Sequence, residues 1–237
     1  MSKTKVIVFE REDERTDCVI ELNGERLEQV NEFVYLGSMF DRNGRIDGEI
    51  TRRVNAGAQV VGAMSKFARD ERLSKGARMA VYGSVVVPVL MYGSETWVWQ
   101  KRHRSRITAC EMRYLRGVCG VTRRDCVRNE QVLEECGVKE NVVQKVGKSA
   151  LRWFGHVERM KDEELLKRVY VGRVDGKRGR GRPRKSWLQQ VDGHLKERKM
   201  MSQKKNVRKC VRRGMSVSEA KEVCQDRKGW RKLLNGY

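Results

Sequence analysis

The sequence predicts a mainly α-helical protein with a short antiparallel β-hairpin element at its N-terminus. Three observations carry this expectation. β-Branched and aromatic runs separated by turn residues are confined to roughly the first forty positions. From Ile46 onward, apolar residues recur at three- and four-residue spacing. Only 2 prolines interrupt the 237 residues, so long helices are permitted.

In chain order, Lys5-Val6-Ile7-Val8-Phe9 and Cys18-Val19-Ile20-Glu21-Leu22 read as strands flanking a charged loop over 10–17. Asn23-Gly24 is a tight-turn signal, which returns the chain over 25–30 as a short strand. Phe33-Val34-Tyr35-Leu36-Gly37-Ser38-Met39-Phe40 comes next as an aromatic, β-branched run that ends in the turn Asp41-Arg42-Asn43-Gly44. Ile46, Ile50, Val54, Gly57, Val61, Ser65 and Ala68 then line one face of an amphipathic helix. Ser74 is placed as the N-cap of a second helix through Ala77, Ala80, Val81 and Val85, kinked or ended near Pro88. Ser94, with Glu95 beside it, is the candidate cap of a third helix through Trp97, Ile107, Met112 and Leu115 to about Val118. Further helices are expected at about 127–136, 139–160, 162–171, 183–199 and 217–234. A glycine-rich break over 171–181 gives the expected organisation: a β element at 1–44, a helical body at 45–170, a basic Gly/Arg linker at 171–185 and a basic helical tail at 186–237.

Charge sets the function classes. The chain holds 52 Lys+Arg against 31 Asp+Glu, a formal net charge of +21, and positive charge rises along the chain after an acidic start. Such an imbalance suits a surface held against a polyanion, with nucleic acid ahead of an anionic membrane because the most basic stretches are too glycine-rich for an interfacial helix. No apolar run approaches the ~20 residues of a bilayer span, and the N-terminus has no signal-peptide pattern. The expectation is a protein that is not secreted, has no membrane partner and is nuclear or otherwise cytoplasmic. The 7 cysteines include Cys110, Cys119, Cys126 and Cys136, with no Cys-x₂-Cys pair and no histidine at ligand spacing. They read as reduced thiols, and no metal is expected. Neither a Ser/His/Asp arrangement nor a phosphate-binding glycine loop occurs, the acidic residues are scattered, and so no cofactor or small-molecule substrate is expected.

The sharpest motif is Lys177-Arg178-Gly179-Arg180-Gly181-Arg182-Pro183-Arg184-Lys185. Its Arg180-Gly181-Arg182-Pro183 core has the form of an AT-hook. A narrow A-tract minor groove attracts inserted arginines, Gly181 lets the backbone lie deep, and Pro183 stiffens the exit. Lys177, Arg178, Arg184 and Lys185 are then placed to neutralise phosphates. The alternative is a solvated basic loop or nuclear-import patch. Arg52, Arg53 and the run Lys101-Arg102-His103-Arg104-Ser105-Arg106 offer a second set of cations on helical surfaces, which equally read as solvated faces. In Leu151-Arg152-Trp153-Phe154-Gly155-His156-Val157, Trp153 and Phe154 read as core anchors ahead of base-stacking groups.

Six segments, in order, resemble the carboxy-terminal part of a non-LTR retrotransposon reverse transcriptase of the type fused to an apurinic-like endonuclease. They are Lys3-Thr4-Lys5-Val6-Ile7-Val8-Phe9, Phe33-Val34-Tyr35-Leu36-Gly37-Ser38, Tyr92-Gly93-Ser94-Glu95-Thr96-Trp97, Leu151-Arg152-Trp153-Phe154-Gly155-His156-Val157, the basic run over 177–185, and Cys224-Gln225-Asp226-Arg227-Lys228-Gly229-Trp230-Arg231. The resemblance implies that Tyr35, Leu36 and Gly37 form a primer-grip hairpin and that Lys3 matches the palm lysine acting as general acid toward pyrophosphate. It implies that helices over about 46–118 form a thumb-like bundle that holds a template-primer duplex or an RNA–DNA hybrid. It also places the metal-binding aspartates, the fingers and the endonuclease upstream of this sequence, and the zinc knuckle of some related lineages is missing. The expectation is therefore nucleic-acid binding without polymerase activity. The alternatives left open are an AT-rich DNA minor-groove binder working through Arg180-Gly181-Arg182-Pro183, and a degenerate reading frame without a selected function.

Overall fold

The computed structural model describes residues 4–9, 16–172, 184–203 and 215–235. Within them the chain is mainly α-helical, with a small strand element near the N-terminus. The strands are shorter than the sequence suggested and make three separate pairings. β1 (Lys5–Val6) pairs with β4 (Glu28–Gln29), β2 (Glu21–Leu22) with β3 (Glu25–Arg26), and β5 (Glu32–Tyr35) with β6 (Ser38–Asp41). The first pairing is parallel, against the expectation of an all-antiparallel element, while the other two are hairpins. Asn23-Gly24 makes the expected tight turn, with both residues at positive φ.

The run 33–40 is not one strand. It reverses at Leu36-Gly37, whose φ values of 45° and 79° put both residues in the left-handed region, and Tyr35 faces Ser38 across the hairpin. Two central residues of this hand match the twist of the flanking strands. Leucine is an unusual first residue for such a turn, so β propensity alone conceals it.

A first compact unit comprises Met1–Gly93 and Trp99–Val142. Helix α1 (Asp47–Ala63) follows the predicted face, with Ile50, Gly57 and Val61 buried, and the chain breaks at Met64 before α2 (Ser65–Arg69). The Ser74 hydroxyl accepts from the Ala77 amide at 3.1 Å and opens α3 (Lys75–Val81), as expected of an N-cap. The disturbance expected near Pro88 takes the form of a single π-helical turn, Tyr82–Val86, which leads directly into α4 (Val87–Met91). Pro88 is the second residue of α4, and the helix ends at Met91. The expected helix from Ser94 to Val118 is split. Ser94–Thr96 forms one 3₁₀ turn, and α5 begins only at Lys101 and ends at Val118. α6 (Asn129–Glu135) completes the unit.

Helix α1 approaches α4 and α5 at Gly57. A Cβ there would lie 2.4 Å from Leu90 Cδ2 and 3.0 Å from Cys110 Sγ. Gly57→Ala is therefore expected to destabilise the protein by ~1–3 kcal/mol through overpacking, read as a lower denaturant midpoint with unchanged slope. A midpoint unchanged or raised would show that α1 moves away freely.

The second unit comprises Ser94–Val98 and Val143–Tyr237, so residues 45–170 fall partly in each unit. It contains most of α7 (Val142–Glu158), α8 (Leu165–Val171), α9 (Trp187–Gln203), α10 (Val217–Val223) and α11 (Arg227–Asn235). Its core joins Leu151 and Phe154 of α7 to Val191 and Leu195 of α9, Ala220 of α10 and Trp230 and Leu234 of α11. Local caps set the helix starts. Ser186 and Gln189 form a reciprocal box before α9, as Ser216 and Glu219 do before α10. The expected helix 217–234 breaks in two because Asp226 takes the amides of Lys228 and Gly229 and caps a new start.

Candidate nucleic-acid interface

The hairpin tip and the start of α5 both rest on the first turns of α1. On one side, Glu49 is almost fully buried. Its Oε1 accepts from Arg53 Nε at 2.6 Å and its Oε2 from the Met39 amide at 2.8 Å. Arg52 and Arg53 both donate to the Gly37 carbonyl, and the Tyr92 hydroxyl donates to the Leu36 carbonyl at 2.6 Å. The Arg53 guanidinium stacks 4.5 Å over the Tyr92 ring. The turn carbonyls are thus held from below, while Leu36 stays 75% exposed and Tyr35 58% exposed. This clamp offsets the cost of a left-handed leucine.

On the other side, Asp47 Oδ1 lies 2.6 Å from Arg102 Nη2 and 2.8 Å from His103 Nε2. The Gln100 amide donates to His103 Nδ1 at 3.2 Å, so that nitrogen carries no proton and Nε2–H is the donor to Asp47. The His103 hydrogen bond holds the Asp47 carboxyl below the ordinary range. Partial desolvation opposes that shift, and the charges of Arg102 and Arg45 reinforce it. Arg106 Nη1 reaches Thr51 Oγ1 at 2.9 Å, one residue from Arg52. Arg104 leans over the Trp99 ring at 5.6 Å, and Lys101 is exposed.

The sequence-predicted residues therefore separate into groups. Arg52, Lys101, Arg102 and Arg106 reach the surface of the first unit, whereas Arg53 is a buried strut of the hairpin. Tyr35, Leu36 and Gly37 form the hairpin tip above that strut. Lys3 lies outside the described residues, as do Lys177, Arg178, Arg180, Gly181, Arg182 and Pro183. Arg184 and Lys185 are exposed, with Lys185 Nζ donating to Gln190 Oε1 at 2.9 Å.

Sequence reasoning missed one contributor. Tyr92 had no assigned role, although it lay in one of the family-like segments. Beyond the far end of α5, away from this surface, Arg123 and Arg124 are exposed on a loop that is itself fixed. Asp125 Oδ2 accepts from the Thr122 amide at 2.6 Å, and Arg116 anchors the Val127 carbonyl at 2.7 Å.

Two buried carboxylates are held by internal partners. Glu111 Oε1 accepts from the Tyr82 hydroxyl and the Val142 amide, and Glu158 is engaged by Lys167, Tyr170 and Lys221. Among the described residues no group of three or more His, Cys, Asp or Glu converges as a metal site, and no helix is long and apolar enough to cross a membrane.

The chain is 31% identical over 140 residues to an uncharacterized transposon-derived protein of Caenorhabditis elegans, covering 58% of this chain and 50% of that protein. It is 28% identical over 132 residues to the RNA-directed DNA polymerase from mobile element jockey of Drosophila melanogaster, covering 53% of this chain and 14% of that protein. Both relatives are mobile-element proteins. The chain spans about half the length of the first and a much smaller share of the second. No family model and no solved structure matches it.

Proposed function

We propose that this chain is a transposon-derived, reverse-transcriptase-related protein that grips a nucleic-acid duplex by its phosphate backbone and does no polymerase chemistry of its own. The similarity to two mobile-element proteins supports the origin. The observation that carries the binding reading is the wrong-signed start of α5. Lys101, Arg102 and Arg104 occupy three of its first four positions with no acidic residue in that turn, at the end where the helix dipole is already positive. Stability alone favours acids there. Asp47 relieves part of the repulsion, and a phosphate would relieve the rest while meeting Arg52 and Arg106 alongside. Three buried carboxylates, Glu49, Glu111 and Glu158, are engaged by Arg53, Tyr82 and Lys167, which leaves them serving the fold.

Fluorescence anisotropy across a salt series tests this reading with an RNA–DNA hybrid, a GC-rich duplex and an AT-rich duplex. Backbone grip predicts a steep inverse salt dependence on all three ligands, with the hybrid bound at least as tightly as DNA. A preference for the AT-rich duplex that disappears in Arg180→Ala/Arg182→Ala would move the function to the Arg-Gly-Arg-Pro core. Weak, unselective binding lost by physiological salt would overturn both.

A further inference from the structure

One close pair of reactive groups lies outside the proposed interface. Cys119 Sγ and Cys136 Sγ are 3.2 Å apart, although 16 residues intervene. Two copies of one small motif bring them together. Cys119 is the C-cap of α5 and is followed by Gly120 and Val121, while Cys136 is the C-cap of α6 and is followed by Gly137 and Val138. Each glycine has a positive φ, 69° and 67°, as a left-handed helix terminator requires. In each, the valine amide returns to a carbonyl five residues back, Val121 to Arg116 at 3.0 Å and Val138 to Leu133 at 2.8 Å. Both cysteines therefore cap a helix with the same closing geometry, and the two helix ends face one another. Cys136 is buried and Cys119 is half-buried, so Cys119 is the more accessible of the two.

We infer that Cys119 and Cys136 are a disulfide-forming pair, a modification site that closes when a disulfide oxidant of the glutathione class reaches Cys119. The geometry requires little movement, since the sulfurs need approach by roughly 1 Å to reach a bond of ~2.05 Å. In the first step, the Cys119 thiolate attacks one sulfur of oxidised glutathione, forming a mixed disulfide and expelling one glutathione thiolate. Cys136 then gives up its proton to solvent and attacks the Cys119 sulfur, breaking the mixed disulfide and expelling the second glutathione. Two protein thiols lose two electrons and two protons, and one glutathione disulfide becomes two thiols. The bond ties the end of α5 to the end of α6 and closes the arginine-bearing loop between them. Nothing in it depends on nucleic-acid binding.

The test treats the purified full chain with excess oxidised glutathione, blocks the remaining thiols by alkylation and maps tryptic peptides without reduction. Cleavage after Arg123, Arg124 and Arg128 separates the two cysteines, so only a bond can join their peptides. The expected result is loss of two of the 7 thiols in the monomer, a linked Cys119–Cys136 peptide pair, and a higher thermal midpoint that reverts with reductant. Cys126→Ser is expected to leave all three intact, and Cys119→Ser to abolish them. A glutathione adduct that stays on Cys119, a dominant link through Cys126, a disulfide between chains, or 7 free thiols in a folded wild-type chain would each overturn the inference.

Discussion

Replacing Lys101, Arg102 and Arg106 together with alanine is expected to weaken duplex binding roughly a hundredfold at ~0.1 M salt and to flatten the salt dependence by about two to three units, near one for each phosphate no longer neutralised. Arg102 and Arg106 lie where α5 starts against the first turns of α1, and Lys101 is the exposed first residue of α5. Their removal does not strip the joint of its internal bond, because the buried His103 still donates to Asp47 at 2.8 Å. Far-UV circular dichroism should therefore be unchanged, and stability should hold or rise as repulsion at the helix start is relieved. Lys66→Ala/Arg69→Ala provides the control. Both residues are cations of the same unit, but Arg69 packs beside Gly117, close to the opposite end of α5. That variant removes two charges against three and should lose far less affinity per charge. Equal losses per charge in the two variants would mean that binding follows net charge and not a site.

Trp230→Ala is expected to cost ~3–5 kcal/mol, more than the overpacking at Gly57. The indole is buried, its Nε1 donates to the Leu151 carbonyl at 3.1 Å, and its ring lies 6.1 Å from that of Phe154. Gly155 makes room for it, since a Cβ there would stand 2.4 Å from the indole nitrogen. Truncation leaves a cavity, and the helical carbonyl of Leu151 also loses its extra donor. Trp153 is a sharp comparison. It is half-buried and packs on His156 at 5.3 Å, so Trp153→Ala should cost much less. Urea titrations followed by circular dichroism separate the two. Similar losses would show that Trp230 is not the anchor of this core.

Much of this architecture was legible because periodicity reports burial directly. The faces through Ile50, Val61, Ile107 and Leu115 are buried as their spacing demanded, and Ser74 caps its helix as its residue type suggested. Where periodicity failed, a local interaction outweighed the pattern: Asp226 recaps a helix that the apolar repeat would have continued. Residue propensity alone hides the turn at Leu36-Gly37, because leucine rarely occupies it, although the family resemblance placed a hairpin there. At the candidate interface, the cations on α5 could be seen as a run. That Arg53 is a strut while Arg52 remains at the surface could not, because the difference depends on Glu49 and Tyr92 meeting the hairpin from α1 and from a residue far along the chain. The proximity of Cys119 and Cys136 was equally invisible, since their sequence spacing matches no metal or redox motif.

The path of the chain limits how such a protein can be divided. It leaves the first unit after Gly93, returns at Trp99 and departs again after Val142, so no single break yields two whole halves. A cut at 142 strands the short excursion on the wrong side. Glu95 would be parted from Trp187, whose indole donates to its carbonyl at 3.0 Å, and from Ser149, whose hydroxyl donates to its carboxylate at 3.2 Å. Recombination within this stretch damages both products, while breakpoints outside it spare the interleaved part. Split or rearranged versions of the chain are therefore expected to fold only when the crossings between residues 93 and 143 stay covalently continuous.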